Sequence, residues 1–115
     1  MEESKKDKIR LIKKQFRKNT IYKFLQENME IIANEDRFLI LNLLNEKPCL
    51  LSDIEEALKK SQPSISHHLR ILEKQNLIES NQKGKFKEYS ISKQSFEKLL
   101  SIWNQWFHEI RLKDF

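Results

Sequence analysis

The sequence predicts a mainly α fold with one small β-hairpin, and three observations carry that reading. One glycine and two prolines among 115 residues leave room for few sharp turns. Apolar residues recur at helical spacing through most of the chain. The exception is the region around Gly84, where short apolar runs (Leu77, Ile78; Phe86, Tyr89, Ile91) flank a polar turn whose glycine supplies an easy positive φ.

Length and composition bound the rest. A chain of 115 residues forms one domain that buries about 60 to 70% of its unfolded surface, a modest core that an oligomer interface would extend. A pI near 9.3 and a net charge of +5 favour an anionic partner, although the excess is moderate and does not fix the function. A single cysteine excludes an intrachain disulfide, and nothing resembles a secretion signal or a membrane span, so a reducing cytoplasm is the expected location. No internal repeat is visible.

From Lys5 to Lys23 there are nine lysines or arginines against one acid, with Ile9, Ile12 and Phe16 on a helical stripe. Three roles compete for this basic amphipathic segment: packing its stripe on the domain, adding phosphate contacts, or lying on a membrane surface. The shortness of the stripe and its lack of tryptophan weigh against the last. Asn19 and Thr20 read as a break or cap, after which Ile21, Leu25, Met29 and Ile32 continue an apolar stripe.

Asn34, Glu35 and Asp36 open the next helix, where acids suit the positive end of the helix dipole. Phe38, Leu39, Ile40, Leu41, Leu43 and Leu44 make it apolar almost all round, which predicts a buried central helix. Beyond Pro48, the run Cys49, Leu50, Leu51 is short enough to pair as a strand with the later hairpin. Ser52 and Glu55 have the spacing of a capping box for a short helix ending near Lys60, with Ile54, Ala57 and Leu58 facing inward.

The stretch Ser61–Gln75 follows. Ser61 can cap it, and Pro63 is tolerated in a first turn whose amides lack intrahelical partners. Ile65, Leu69 and Leu72 form one apolar face, while Pro63, Ser66, His67, Arg70 and Lys74 crowd the other. Hydroxyl, imidazole and guanidinium groups with only two fixed cations suit a helix lying in a DNA major groove. In the hairpin, Lys83, Lys85 and Lys87 alternate with other residues and would share one face of a strand, either to grip phosphate or to protect a solvated edge. The last helix, from about Ser92 past Ile110, carries Phe96, Leu99, Leu100, Trp103, Trp106, Phe107 and Ile110, too many aromatics to leave in water.

The words ANEDRFLILNLL, SDIEEALKKSQPSISHHLRILEKQNLIES and QKGKFKEYSI, in that order over residues 33–91, resemble the winged helix-turn-helix of ArsR/SmtB-family transcriptional repressors. The resemblance implies a three-part organisation within one compact domain. Residues 1–32 are a basic helical extension, 33–91 the DNA-binding region and 92–115 a dimerisation helix. It implies base-facing or nearby roles for Gln62, Ser64, Ser66 and His67, and phosphate contact for Arg70, Lys83, Lys85 and Lys87. It also implies a homodimer on double-stranded DNA, joined through Leu99, Trp103, Trp106, Phe107 and Ile110, with recognition helices entering major grooves about 34 to 36 Å apart on an imperfect palindrome. His68, beside the apolar stripe, reads instead as a hydrogen-bonded, half-buried histidine.

The chain departs from the family in its sensing residues. The family's Cys-x-Cys falls on Leu50 and Ser52, Cys49 stands one residue off, and the last helix offers only His108, Glu109 and Asp114 at spacing that does not chelate. No metal or other cofactor is therefore expected, and the effector is unknown. An enzyme is not expected either, because Ser66, His67 and His68 diverge by about 100° per residue and cannot converge as nucleophile, base and orienter. Two alternatives stand beside the regulator: a nonspecific, chromatin-like DNA binder and a winged-helix protein-interaction module.

Overall fold

The computed structural model describes residues 2–110. The order of elements is α1 (Glu2–Lys18), α2 (Thr20–Ala33), α3 (Glu35–Glu46), β1 (Cys49–Leu50), α4 (Leu51–Leu58), α5 (Gln62–Lys74), β2 (Ile78–Lys83), β3 (Phe86–Ile91) and α6 (Lys93–Glu109). The mainly α fold with a hairpin is present, and β1 joins the hairpin as a third antiparallel strand in the order β1-β3-β2.

Side-chain caps divide the helices as the sequence predicts. Asn19 Oδ1 accepts from the amides of Ile21 and Tyr22 at 3.0 Å each, and Asn34 Oδ1 accepts from Arg37 N at 3.1 Å. The cap of α4 differs from expectation. The helix starts two residues earlier than a Ser52 cap would allow, and the Asp53 carboxylate accepts from Leu50 N at 2.9 Å, so the Ser52–Glu55 box is not the device used.

The connection from α4 to α5 turns on Lys59, held in the left-handed region at φ 53° with its amide bonded to Glu55 O at 2.8 Å. The end of α5 is a Schellman motif. Asn76 sits at φ 60°, its amide donates to Glu73 O at 2.9 Å, and Leu77 N donates to Leu72 O at 3.0 Å. The buried pair Leu72 and Leu77 flanks that turn, which fixes where α5 stops and the hairpin begins.

Ile40, Leu41 and Leu44 of α3, Ile54 of α4, Ile65, Leu69 and Leu72 of α5, Leu77 of the turn after it, and Ile78 and Tyr89 of the sheet form the core, with Cys49 at its edge. Each of the three α5 residues is essentially inaccessible, and burial of such a side chain stabilises by about 1.5 to 3 kcal/mol. The central helix is not buried all round, however. Phe38 and Leu39 are 54% and 46% exposed, because α3 is covered by the rest of the chain on one side only. Ala57 is also exposed, and on α2 it is Asn28 with Leu25 that turns inward while Met29 stays at the surface.

The hairpin corrects a second expectation. Its turn consists of Gly84 and Lys85 alone, with positive φ (61°) at Gly84 but not at Lys85, the pattern of a type II′ turn. Lys83 therefore belongs to β2, where it pairs with Phe86, whereas Lys87 pairs with Gln82. Partners across a ladder point the same way and successive residues alternate, so Lys83 and Lys87 lie on opposite faces of the wing rather than on one.

Helix α1 does not pack its stripe on its own domain. Ile9, Leu11, Ile12 and Phe16 are all exposed, and the molecule measures 65 × 26 × 24 Å. Its radius of gyration is 18.6 Å, against about 13 to 14 Å for a compact chain of this size. This helix holds eight lysines and arginines against three acids, so the whole net charge of +5 resides in it and the remainder is neutral. Helix α6 has no fully buried residue. Phe96 and Leu99 pack against the core, while Trp103, Trp106 and Phe107 stack on one another with ring centroids 4.7 to 5.7 Å apart. Leu100 is 58% exposed. The expected continuation of this helix past Ile110 lies outside the described residues.

Candidate nucleic-acid interface

Helix α5 is held from both ends and from beneath. Ser61 Oγ accepts from Ser64 N at 3.4 Å at the start, the Schellman turn closes the end, and Ile65, Leu69 and Leu72 anchor the inner face. What remains outward is the predicted set. Gln62, His67, Arg70 and Lys74 are exposed, and Ser64 and Ser66 are half-buried on the flanks.

The first turn of this helix and the wing line one concavity. Gln62, Ser52 and Glu55 share a concavity of about 350 Å³ with Lys85, Phe86 and Lys87. That concavity exists because β1 pairs with β3 only at Cys49–Tyr89 and Leu50–Glu88 before the chain turns into α4, which leaves the edge of β3 uncovered at Phe86 and Lys87. Lys83, on β2, does not line that concavity; it points with Phe86 to the face opposite Lys87 and lies 4.0 Å from Glu88, an exposed pairing of the kind that contributes about 0 to 1 kcal/mol. Of the three predicted wing lysines, the fold therefore brings Lys85 and Lys87 to the recognition helix and sets Lys83 on the far side.

Between His67 and the core lies His68, whose side chain is 12% exposed. Its Nδ1 is 3.2 Å from Arg37 Nη1 and its Nε2 is 3.5 Å from Asp36 Oδ2. Burial above all, and then the Arg37 charge, hold the imidazole below the ordinary histidine pKa against the opposing pull of Asp36. The expectation of a hydrogen-bonded, half-buried histidine is met. Asp36 and Arg37 have a role beyond what the sequence pattern indicates: the pattern marks Asp36 only as a dipole partner and gives Arg37 no role, whereas both hold His68. The available signal was an arginine in the first turn of an otherwise apolar helix.

Among the described residues, no group of three or more histidine, cysteine, aspartate or glutamate side chains is arranged to hold a metal ion. Cys49 is buried, its Sγ is 3.3 Å from Lys47 O, and burial with the nearby Asp53 pushes its thiol pKa up, so it is a packing residue with little thiolate. His108 and Glu109 are exposed on α6, and Asp114 lies outside the described residues. No helix among the described residues is long and apolar enough to cross a membrane.

The profile of the bacterial regulatory proteins of the arsR family matches residues 34–80, from the cap of α3 to the first wing strand. An HTH-type transcriptional regulator of Methanocaldococcus jannaschii is 32% identical over 83 residues, spanning 70% of this chain and 92% of that protein. The transcriptional repressor SdpR of Bacillus subtilis is 41% identical over 61 residues, 53% of this chain and 68% of its own. Among solved structures, HlyU from Vibrio cholerae superimposes with a TM-score of 0.65 at 22% identity, over 81% of this chain and 97% of that one, which establishes a shared fold. The chain belongs to the ArsR family of transcriptional regulators, a family of DNA-binding winged helix-turn-helix proteins rather than of enzymes.

Proposed function

We propose that the protein is a homodimeric, cytoplasmic repressor that occupies an imperfect palindromic operator without a metal cofactor. Residues 33–91 form its DNA side, and residues 1–32 and 92–115 its dimer side. The observation that carries the reading is the shared concavity lined by Gln62, at the start of α5, and by Lys85 and Lys87 of the wing. A recognition helix in the major groove with a basic strand beside it uses that geometry, the helix reading base edges and the lysines holding phosphate.

His67 lies on the outer face with Arg70 one turn away, and these two are assigned base and phosphate contact respectively. Ser64 and Ser66 flank them. Lys83 keeps a phosphate role only if the DNA reaches the outer face of the wing. The dimer seam is assigned to the apolar surface left on α6 by Leu99, Trp103, Trp106, Phe107 and Ile110, met by the exposed stripe of α1. Burial of that surface removes exposed aromatic and aliphatic area that a monomer of this size rarely carries.

The test is binding of the purified protein to the DNA upstream of its own gene and to random duplex, at two salt concentrations, with and without a chelator. Selective binding that survives the higher salt and ignores the chelator supports the metal-independent repressor. Equal, salt-sensitive binding to both duplexes points to a chromatin-like binder, and binding to neither to a protein-interaction module.

A further inference from the structure

Arg37 connects three helices. Its Nε donates to Ile31 O in the last turn of α2 at 2.8 Å, its own amide is capped by Asn34, and its Nη1 meets His68 Nδ1 on α5 at 3.2 Å. A guanidinium has only donors and keeps its charge, so His68 Nδ1 must accept and the ring proton must sit on Nε2. That proton faces Asp36 Oδ2 at 3.5 Å, and the same oxygen lies 3.6 Å from Lys60 Nζ in the turn that opens onto α5. The cluster thus selects one tautomer of a neutral imidazole and ties it, through Arg37, to the end of α2.

We propose that Asp36 and Arg37 are positioning residues for the recognition helix. By gripping the two ring nitrogens of His68 they set the rotation of α5 about its axis, and protonation of His68 releases the Arg37 side of the grip. The chemistry is direct. A proton on Nδ1 turns an acceptor into a donor and puts two cations 3.2 Å apart, while Nε2–H keeps its carboxylate. The ring stays on Asp36 but loses its tie to α2. Because α5 carries His67 beside His68, with ring centroids 5.7 Å apart, a change in its rotation is felt at once on the outward face. The charged and titratable groups facing His68 are Asp36 and Arg37 from α3, Lys60 through Asp36, and His67; α2 contributes the Ile31 carbonyl through Arg37.

The sign follows from the neutral form being the one held. The grip is complete above the ordinary histidine value of about 6.5 and weakens as the pH falls below it. The inference rests on α5 being the recognition helix. It is tested with the full chain by fluorescence anisotropy on the upstream duplex and on random duplex, from pH 8 to pH 5.5 at constant ionic strength. Wild type is compared with His68→Gln, Arg37→Gln and His67→Gln, and urea unfolding at each pH identifies the folded range.

Wild type should lose about threefold in selective affinity across the range, less than a full charged hydrogen bond because a histidine held below its ordinary value is only partly protonated at pH 5.5, with a smaller change on random DNA. His68→Gln, whose amide can accept from Arg37 and donate to Asp36, should bind with no such loss, and Arg37→Gln should bind weakly at every pH. Nitrogen-15 shifts of His68 in the free protein should report the Nε2–H tautomer at pH 7.5, a readout independent of DNA. An Nδ1–H tautomer would overturn the proposal. So would a pH dependence that survives in His68→Gln, or that vanishes only in His67→Gln. Failure of folded wild type to bind either duplex at pH 7.5 would instead remove the recognition-helix reading itself.

Discussion

The Ser80 hydroxyl of the wing donates to Glu73 Oε2 of the recognition helix at 3.3 Å. It is a side-chain link between the two parts assigned to DNA, and it spans the Schellman turn that already fixes their backbone. Ser80→Ala leaves a carboxylate without that donor and should cost about 0.5 to 1.5 kcal/mol in urea unfolding. Operator affinity should fall with it, measured at a denaturant-free pH of 7.5 where the variant is folded. Unchanged affinity would mean that the backbone turn alone sets the wing.

The start of α4 separates two capping schemes. Asp53→Ala removes the acceptor for Leu50 N and should lower stability by about 1 kcal/mol, whereas Ser52→Ala should be nearly neutral. Thermal unfolding of the two variants side by side decides it. The reverse order would restore the Ser52–Glu55 box.

On the DNA side, His67→Ala should cost about 1 to 3 kcal/mol on the operator and much less on random duplex, as loss of a base contact does. Lys85→Ala should weaken both alike and reduce the salt slope by about 1. Lys83→Ala, on the far face of the hairpin and beside Glu88, should change either affinity less than Lys85→Ala. Titrations at three salt concentrations measure all three.

For the dimer, Leu100→Glu on α6 and Ile12→Glu on α1 place a charge on apolar surface that is open in the single chain. Folding should survive, since neither side chain is buried in the core, while sedimentation at micromolar concentration should move toward the monomer. An unchanged dimer in both variants would assign the seam elsewhere.

Much of this was legible in the sequence because local chemistry and tertiary structure agree there. Asn19, Asn34 and Ser61 cap helices in any context, and the spacing of Ile65, Leu69 and Leu72 admits one buried face. The misses share a physical cause. Phe38 and Leu39 are apolar but exposed because burial depends on what surrounds a helix, and periodicity reports only its own faces. Lys83 and Lys87 part company because a two-residue turn changes the side on which each emerges, and turn length is not encoded in the lysines. The pairing of Arg37 with His68, 31 residues apart, is a matter of three-dimensional registry that no local pattern carries.

The segregation of net charge into α1 separates capture from discrimination. Residues beyond that helix sum to zero, so the field that draws a polyanion from beyond a Debye length of about 8 Å originates in an element remote in sequence from the reading face. We expect encounter with DNA to draw on the charge of α1 and choice among sequences to rest on α5. Substitutions along α1 can retune the frequency of encounter, and the protein's response to ionic strength, while the preference written on α5 stays as it is.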